Sequence, residues 1–212
     1  MMRLLARPMA FLALSAALLA LLAGCANPLN RPDPERRFYS IAAPRPQAAP
    51  QTQDRTVLKV RPLRVSPAYQ GREMVYRMDE ARYVPDFYNA FFVRPATALT
   101  QLTSEWLGRS GLFGNVVDSN SRVADTHLLE GMINALYADF RDPANPKAVL
   151  EAQFFLLKNK NDDYSVVFSK SYRQEVPFSA SAGSAGALAE AYGTAFARIL
   201  GELEADLRTA MK

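Results

Sequence analysis

One cysteine, one histidine and one tryptophan stand in 212 residues. A lone cysteine excludes an intrachain disulfide and a cysteine-based metal cluster. A lone histidine, His127, leaves no convincing zinc or iron site. A Ser-His-Asp triad would have to form around His127, at the start of a strand with no nucleophile motif beside it. Charge of one sign is also scarce: 25 Lys and Arg face 21 Asp and Glu, a formal +4, which gives no reason to invoke nucleic acid. No apolar run reaches the ~20 residues that a membrane-crossing helix needs. Internal repeats are absent. The one glycine-rich stretch, Ser181-Ala182-Gly183-Ser184-Ala185-Gly186, lacks the lysine and the spacing of a phosphate-binding loop and reads as a connector before a helix. Glu130 and Glu151 fall in alternating strands and read as solvated sheet positions. The chain is therefore read as a non-enzyme, with no metal site and no dissociable cofactor.

What is present begins at the N-terminus. Arg3 and Arg7 form a short basic region, and Met9 to Ala23 is apolar except for Ser15. That pattern fits a secretory signal peptide over residues 1–24. The run ends on Leu22-Ala23-Gly24-Cys25, a lipobox. A thiolate can take a diacylglyceryl group through a thioether, and the small Ala23 and Gly24 let a peptidase reach the bond before Cys25. The new α-amine can then be acylated. Each buried CH₂ adds about 0.8 kcal/mol, so two or more chains give stable anchoring. Cys25 is the expected lipidation site, carrying a diacylglycerol and an N-acyl chain. Ala26 follows it, not the aspartate that retains many Gram-negative lipoproteins at the inner membrane. This favours the periplasmic face of the outer membrane. Loss of Arg3 and Arg7 with the leader lowers the net charge to +2.

Residues 25–55 read as a lipidated cysteine and a Pro-rich tether. Asn27 to Arg37 contains Pro28, Pro32 and Pro34; Ala43 to Arg55 is rich in Pro, Ala and Gln. Such segments are expected to stay extended and solvated. Between them lies an apolar island, Phe38-Tyr39-Ser40-Ile41, which docks either on the domain's own sheet or on a partner.

A folded domain is expected over residues 56–212. Val57 to Leu63 alternates as a half-buried strand, with Pro62 confining it to an edge or an end. Tyr69 to Arg72 reads as a turn and Glu73 to Met78 as a second strand. Tyr83, Phe87, Tyr88, Phe91 and Phe92 then cluster within ten residues. They either fill the core at the mouth of the next helix or form an exposed surface for a partner or a lipid tail. Pro95 suits a first helical turn; Leu99, Leu102, Trp106 and Leu107 follow at helical spacing, and Gly108 and Gly111 end the helix. A short strand is expected over Gly114 to Val117. Three longer strands follow, Thr126 to Phe140, Ala148 to Leu157 and Tyr164 to Phe178, with Gly131 as a candidate bulge. They pair as two antiparallel hairpins. After a loop from Ser179 to Gly186, an amphipathic helix runs from Leu188 to Leu207.

The order of lipobox, Phe38-Tyr39-Ser40-Ile41, the segment Val60 to Pro67, Tyr69 and the strand at Met74 to Tyr76 resembles the ABC-type transport auxiliary lipoprotein family, of the paraquat-inducible protein C type. The helix with Leu99 and Leu102, the long β region and the terminal helix complete the likeness over residues 38 to 210. The family usually has Tyr-Tyr-x-Leu where this chain has Phe38 to Ile41. The resemblance implies a small α/β domain of the α+β type. Combined with the hairpins above, the expected fold is one mixed, mostly antiparallel sheet with two amphipathic helices on one face. It also implies periplasmic work beside an ABC permease, its ATPase and an MCE-type substrate-binding protein, moving phospholipid or other hydrophobic molecules. Partner contacts are expected at Phe38, Tyr39, Ile41, Tyr83, Phe87, Tyr88, Phe91 and Phe92. A homo-oligomer is compatible with this reading. The competing reading is a structural outer-membrane assembly lipoprotein, a plug or scaffold for a β-barrel; a third is an envelope hydrolase.

Overall fold

The computed structural model describes residues 35–45, 47, 49, 55–161, 163–179 and 184–211. The segments expected to be a leader, a lipobox with Cys25 and a tether up to Pro34 lie outside the described residues, as do 180–183.

The sheet is organised around one long strand, β7 (His127–Asp139). On one side β7 pairs antiparallel with β8 (Lys147–Lys160), which pairs antiparallel with β9 (Asp163–Pro177). These are the two expected hairpins. The breakers Asp142 to Pro146 and the turn at Asn161, whose φ is +54°, separate the strands where the sequence places its polar punctuation. The other side of β7 is filled in succession by three short strands, all parallel to it. β2 (Val57–Val60) pairs with His127 to Leu129, β3 (Arg64–Val65) with Met132 and Ile133, and β4 (Glu73–Arg77) with Ala138 and Asp139. β5 (Tyr83–Phe91) pairs antiparallel with β4, and β1 (Arg37–Tyr39) adds parallel to β5 at the edge. β6 (Asn115–Asp118) lies parallel to β2. The result is a mixed sheet whose long ladders are antiparallel.

Pro62 interrupts the strand expected over Val57 to Leu63. It has no N–H for the ladder, so β2 ends at Val60. The neighbouring Leu63 N–H instead donates to Thr100 Oγ1 at 2.8 Å. That acceptor belongs to α1 (Pro95–Gly108), which starts on Pro95 as expected. The second helix, α2 (Ser184–Ala210), begins inside the stretch read as a loop. Its stripe of Leu188, Tyr192, Phe196, Ile199, Leu203 and Leu207 is buried and packs on β8 and β9, while α1 lies on β6, β2 and β3. Both helices share one apolar core with Leu58, Val60, Ile133, Leu150, Phe154 and Leu156.

Gly131 does not carry the bulge. The register shift in β7 falls between Ile133 and Ala135. A Cβ on Gly131 would stand 2.7 Å from Leu63 Cδ2 and 2.9 Å from the Phe154 ring. The glycine is there because Leu63 and Phe154 take the space a side chain would use.

Tyr192 is fully buried, and its hydroxyl has no hydrogen-bond partner among the described residues. Burial pushes this phenol far above its ordinary value, so it stays neutral. An unpaired buried hydroxyl costs roughly 1–3 kcal/mol. Tyr192→Phe is therefore expected to raise stability by about 1 kcal/mol in chemical denaturation. A loss of stability would show that the hydroxyl has a partner.

Candidate docking surface

The aromatic segment from Tyr83 is a strand, β5, with a local excursion. Between the pairs Val75–Pro85 and Glu73–Ala90, β4 advances two residues while β5 advances five. The extra residues are held by Asp86, which follows Pro85. Its Oδ1 accepts from the Tyr88 and Asn89 backbone N–H groups at 2.8 and 2.9 Å. Its Oδ2 accepts from the Asn89 side chain and from the Tyr76 hydroxyl. The excursion carries Phe87 and Tyr88 outward; Phe87 is 67% exposed, and the two rings meet edge to face at 5.2 Å.

β1 supplies the rest of this corner. Phe38, opposite Ala90, is 48% exposed. Phe92, whose N–H donates to the Tyr39 carbonyl at 2.7 Å, is 63% exposed. Two arginines overlie these rings. Arg36 stands 5.4 Å over Phe87 and donates from Nε to the Phe87 carbonyl at 3.1 Å. Arg72 stands 4.8 Å over Phe38 and donates from Nε to the Phe91 carbonyl at 2.9 Å. The exposed rings are thus fixed by a backbone excursion, a strand pairing and two guanidinium contacts.

The expected partner residues divide. Phe38, Phe87, Tyr88 and Phe92 form the exposed corner. Tyr83 is exposed on the same strand but sits 5.6 Å edge-on to Tyr137. Phe91 is buried against Tyr192, with ring centroids 5.9 Å apart, and Ile41 is buried in the same core. Tyr39 is half-buried and donates to Asn89 Oδ1 at 3.3 Å. The apolar island therefore docks on its own domain through Tyr39 and Ile41 and leaves Phe38 outside.

The start of the second Pro-rich segment is not solvated as expected. Ala43 is buried, and residues 41–45 form a strap across the helices. The strap crosses α2 at Gly193, where a Cβ would overlap the Ala42 carbonyl. Arg45 then clips it down, with Nη2 2.8 Å from Glu204 Oε1. Trp106 Nε1 donates to Glu204 Oε2 at 3.0 Å, and Arg208 reaches Glu204 Oε1 at 3.3 Å. Composition hid this strap, because its receiving surface lies on α2, far along the chain.

Little reactive chemistry accompanies these surfaces. His127 is nearly buried beside Phe113, with Nδ1 3.0 Å from Thr126 Oγ1. Glu130 and Glu151 are partly exposed and paired with Arg61 and Arg173. Among the described residues no three His, Cys, Asp or Glu side chains could share a metal ion. No helix among them is long and apolar enough to cross a membrane.

Asp86 gives the corner an acid limit. Burial works against its charge, but the hydrogen bonds from Tyr76, Asn89 and the backbone outweigh it and hold its carboxyl below the usual range. A depressed folded pKa stabilises the excursion above about pH 4 and loses that support as pH falls through the lower folded value. The Tyr88 and Asn89 amide resonances are expected to titrate together with a midpoint below about 3.9. A midpoint at or above that value would contradict the Asp86 clamp.

Three comparisons bear on this chain. A family model described as "ABC-type transport auxiliary lipoprotein component" matches residues 39–203. No curated protein matches. The crystal structure of protein XCC0632 from Xanthomonas campestris superposes with a TM-score of 0.68 at 16% identity, covering 82% of this chain and 96% of that one. The crystal structure of an uncharacterized protein superposes with a TM-score of 0.59 at 13% identity, covering 81% of this chain and 99% of that one. At these identities the two structures are similar in fold.

Proposed function

This chain belongs to the family of ABC-type transport auxiliary lipoprotein components, and from that premise we propose that it is a non-enzymatic, lipid-anchored accessory subunit of a transporter for hydrophobic molecules. Cys25 carries the anchor and places the domain at the periplasmic face of the outer membrane. The partners are an ABC permease with its ATPase and an MCE-type substrate-binding protein, and the cargo is phospholipid or a similarly apolar molecule. The role is to hold one end of a shielded route against a membrane, since exposing acyl chains to water costs about 0.8 kcal/mol per CH₂. Tethering raises the effective concentration of a weak contact without a large interface.

The observation that carries this reading is the aromatic corner. Four large rings are exposed, Phe38 on β1, Phe87 and Tyr88 on β5 and Phe92 just after it, and such patches mark binding surfaces. β1 is also the first element among the described residues.

The test is to exchange residues 1–25 for a cleavable signal peptide that leaves no acyl chain. The exported domain is expected to fold, to leave the membrane fraction and to behave as a deletion in assays of envelope barrier function. Full barrier function from the unanchored domain would contradict the reading.

A further inference from the structure

The same corner has features that identify what it meets. Its exposed apolar side chains are Phe38, Phe87, Tyr88, Phe92 and Val93. The exposed arginines Arg36, Arg37 and Arg94 and the half-buried Arg72 border them. Against these stand Glu35, which is exposed, and Glu73, 3.9 Å from Arg36. The third acid, Asp86, keeps its charge and accepts from the neutral donors Tyr76, Tyr88 and Asn89. Four arginines thus face three carboxylates, and the border is cationic by one charge. Aromatic rings beside cationic side chains suit the boundary between acyl chains and anionic headgroups.

Chain length makes the same point independently. Ten residues separate Cys25 from Arg36, a reach of at most about 40 Å. Along the chain the first described strand is β1, so the tether's length allows the corner to reach the bilayer.

We propose that the Phe38–Phe87–Phe92 corner docks on the anionic phospholipid surface to which Cys25 tethers the chain, with the rings at the headgroup boundary and Arg36, Arg37, Arg72 and Arg94 facing lipid phosphates. The proposal rests on the anchored reading above. Docking fixes the orientation of the domain and leaves the rest of its surface to protein partners.

The acylated thioether at Cys25 makes the test clean, because a cysteine introduced elsewhere is the one free thiol. The lipidated full chain carrying Phe87→Cys, labelled with an environment-sensitive fluorophore, is reconstituted in vesicles of phosphatidylethanolamine and phosphatidylglycerol that contain a headgroup nitroxide quencher. Val167→Cys, also at an exposed position, is the control. The label at position 87 is expected to be quenched at least threefold more than the label at 167. Adding Arg36→Glu and Arg37→Glu is expected to abolish that difference. Equal quenching at both positions on acylated, vesicle-bound protein would overturn the docking and leave the anchor standing. A label shielded only in native membranes that contain the transporter would assign the corner to a protein and overturn it too. Recovery of the chain without acyl groups would overturn the anchor and the docking together.

Discussion

Glu204→Ala is expected to cost about 3 kcal/mol, and a matched pair of apolar replacements is expected to recover most of it. Glu204 is 13% exposed and accepts from Arg45, Trp106 and Arg208. Removing the carboxylate leaves the Arg45 guanidinium, itself 12% exposed, without its counter-ion, and the Trp106 N–H without its acceptor. Losing one partner of an enclosed pair is far more costly than losing both, because the survivor keeps its desolvation penalty. Arg45→Met with Glu204→Leu should therefore stand within about 1–2 kcal/mol of the wild type. Chemical denaturation of the two single variants and the double variant measures the coupling. Additive losses would show that the clip is not a unit. The clip closes the strap, which follows β1 along the chain and crosses α2 at Gly193.

Phe154→Ala is expected to be the most damaging single change in the sheet, at about 3–5 kcal/mol. Phe154 is fully buried at the centre of β8, with its ring 6.3 Å from Tyr172. It also occupies the space above Gly131 on the neighbouring strand. Truncation removes buried apolar area and leaves a cavity. Gly131→Ala alone forces a methyl group into Leu63 and Phe154 and costs about 1–3 kcal/mol. In the double variant the ring contacts are gone, but Leu63 Cδ2 still stands 2.7 Å from the new methyl. The double variant is therefore expected to lose less stability than the sum of the two single changes. Additive losses would contradict the account of Gly131 as a packing glycine.

Gly131 also shows where sequence reasoning stopped. A glycine in an alternating strand signals a bulge or a close approach, and only the neighbours decide between them. Those neighbours are Leu63 and Phe154, on two other strands, and no local pattern names them. The same limit applies to pairing direction. The hairpins β7–β8 and β8–β9 were legible because polar turns join them directly. The parallel docking of β2, β3 and β4 along β7 depends on distant contacts. α1 was legible because Pro95 and Gly108 mark it locally. α2 began earlier than expected because tertiary burial of Ala185 overrode the look of a Ser/Ala/Gly connector.

The aromatic segment was recognised as a cluster but not as a strand, since the Asp86 excursion breaks its alternation. Phe91 fills the core, and Phe87 and Phe92 remain exposed. The guanidinium contacts of Arg36 and Arg72 were missed. Arg36 directly precedes the apolar island by two residues and could have been noticed; Arg72 could not, because its ring partner is Phe38. The family resemblance, drawn from the order of segments, was confirmed by the match over residues 39–203.

The central claim is that this domain works as a transporter accessory. The most direct measurement is a crosslinked, mild-detergent purification of the full lipoprotein from its own membranes, with proteins and lipids identified by mass spectrometry. The account predicts recovery of an ABC permease and its ATPase with an MCE-type protein. Recovery of a β-barrel without those components would contradict it and assign the chain to outer-membrane assembly.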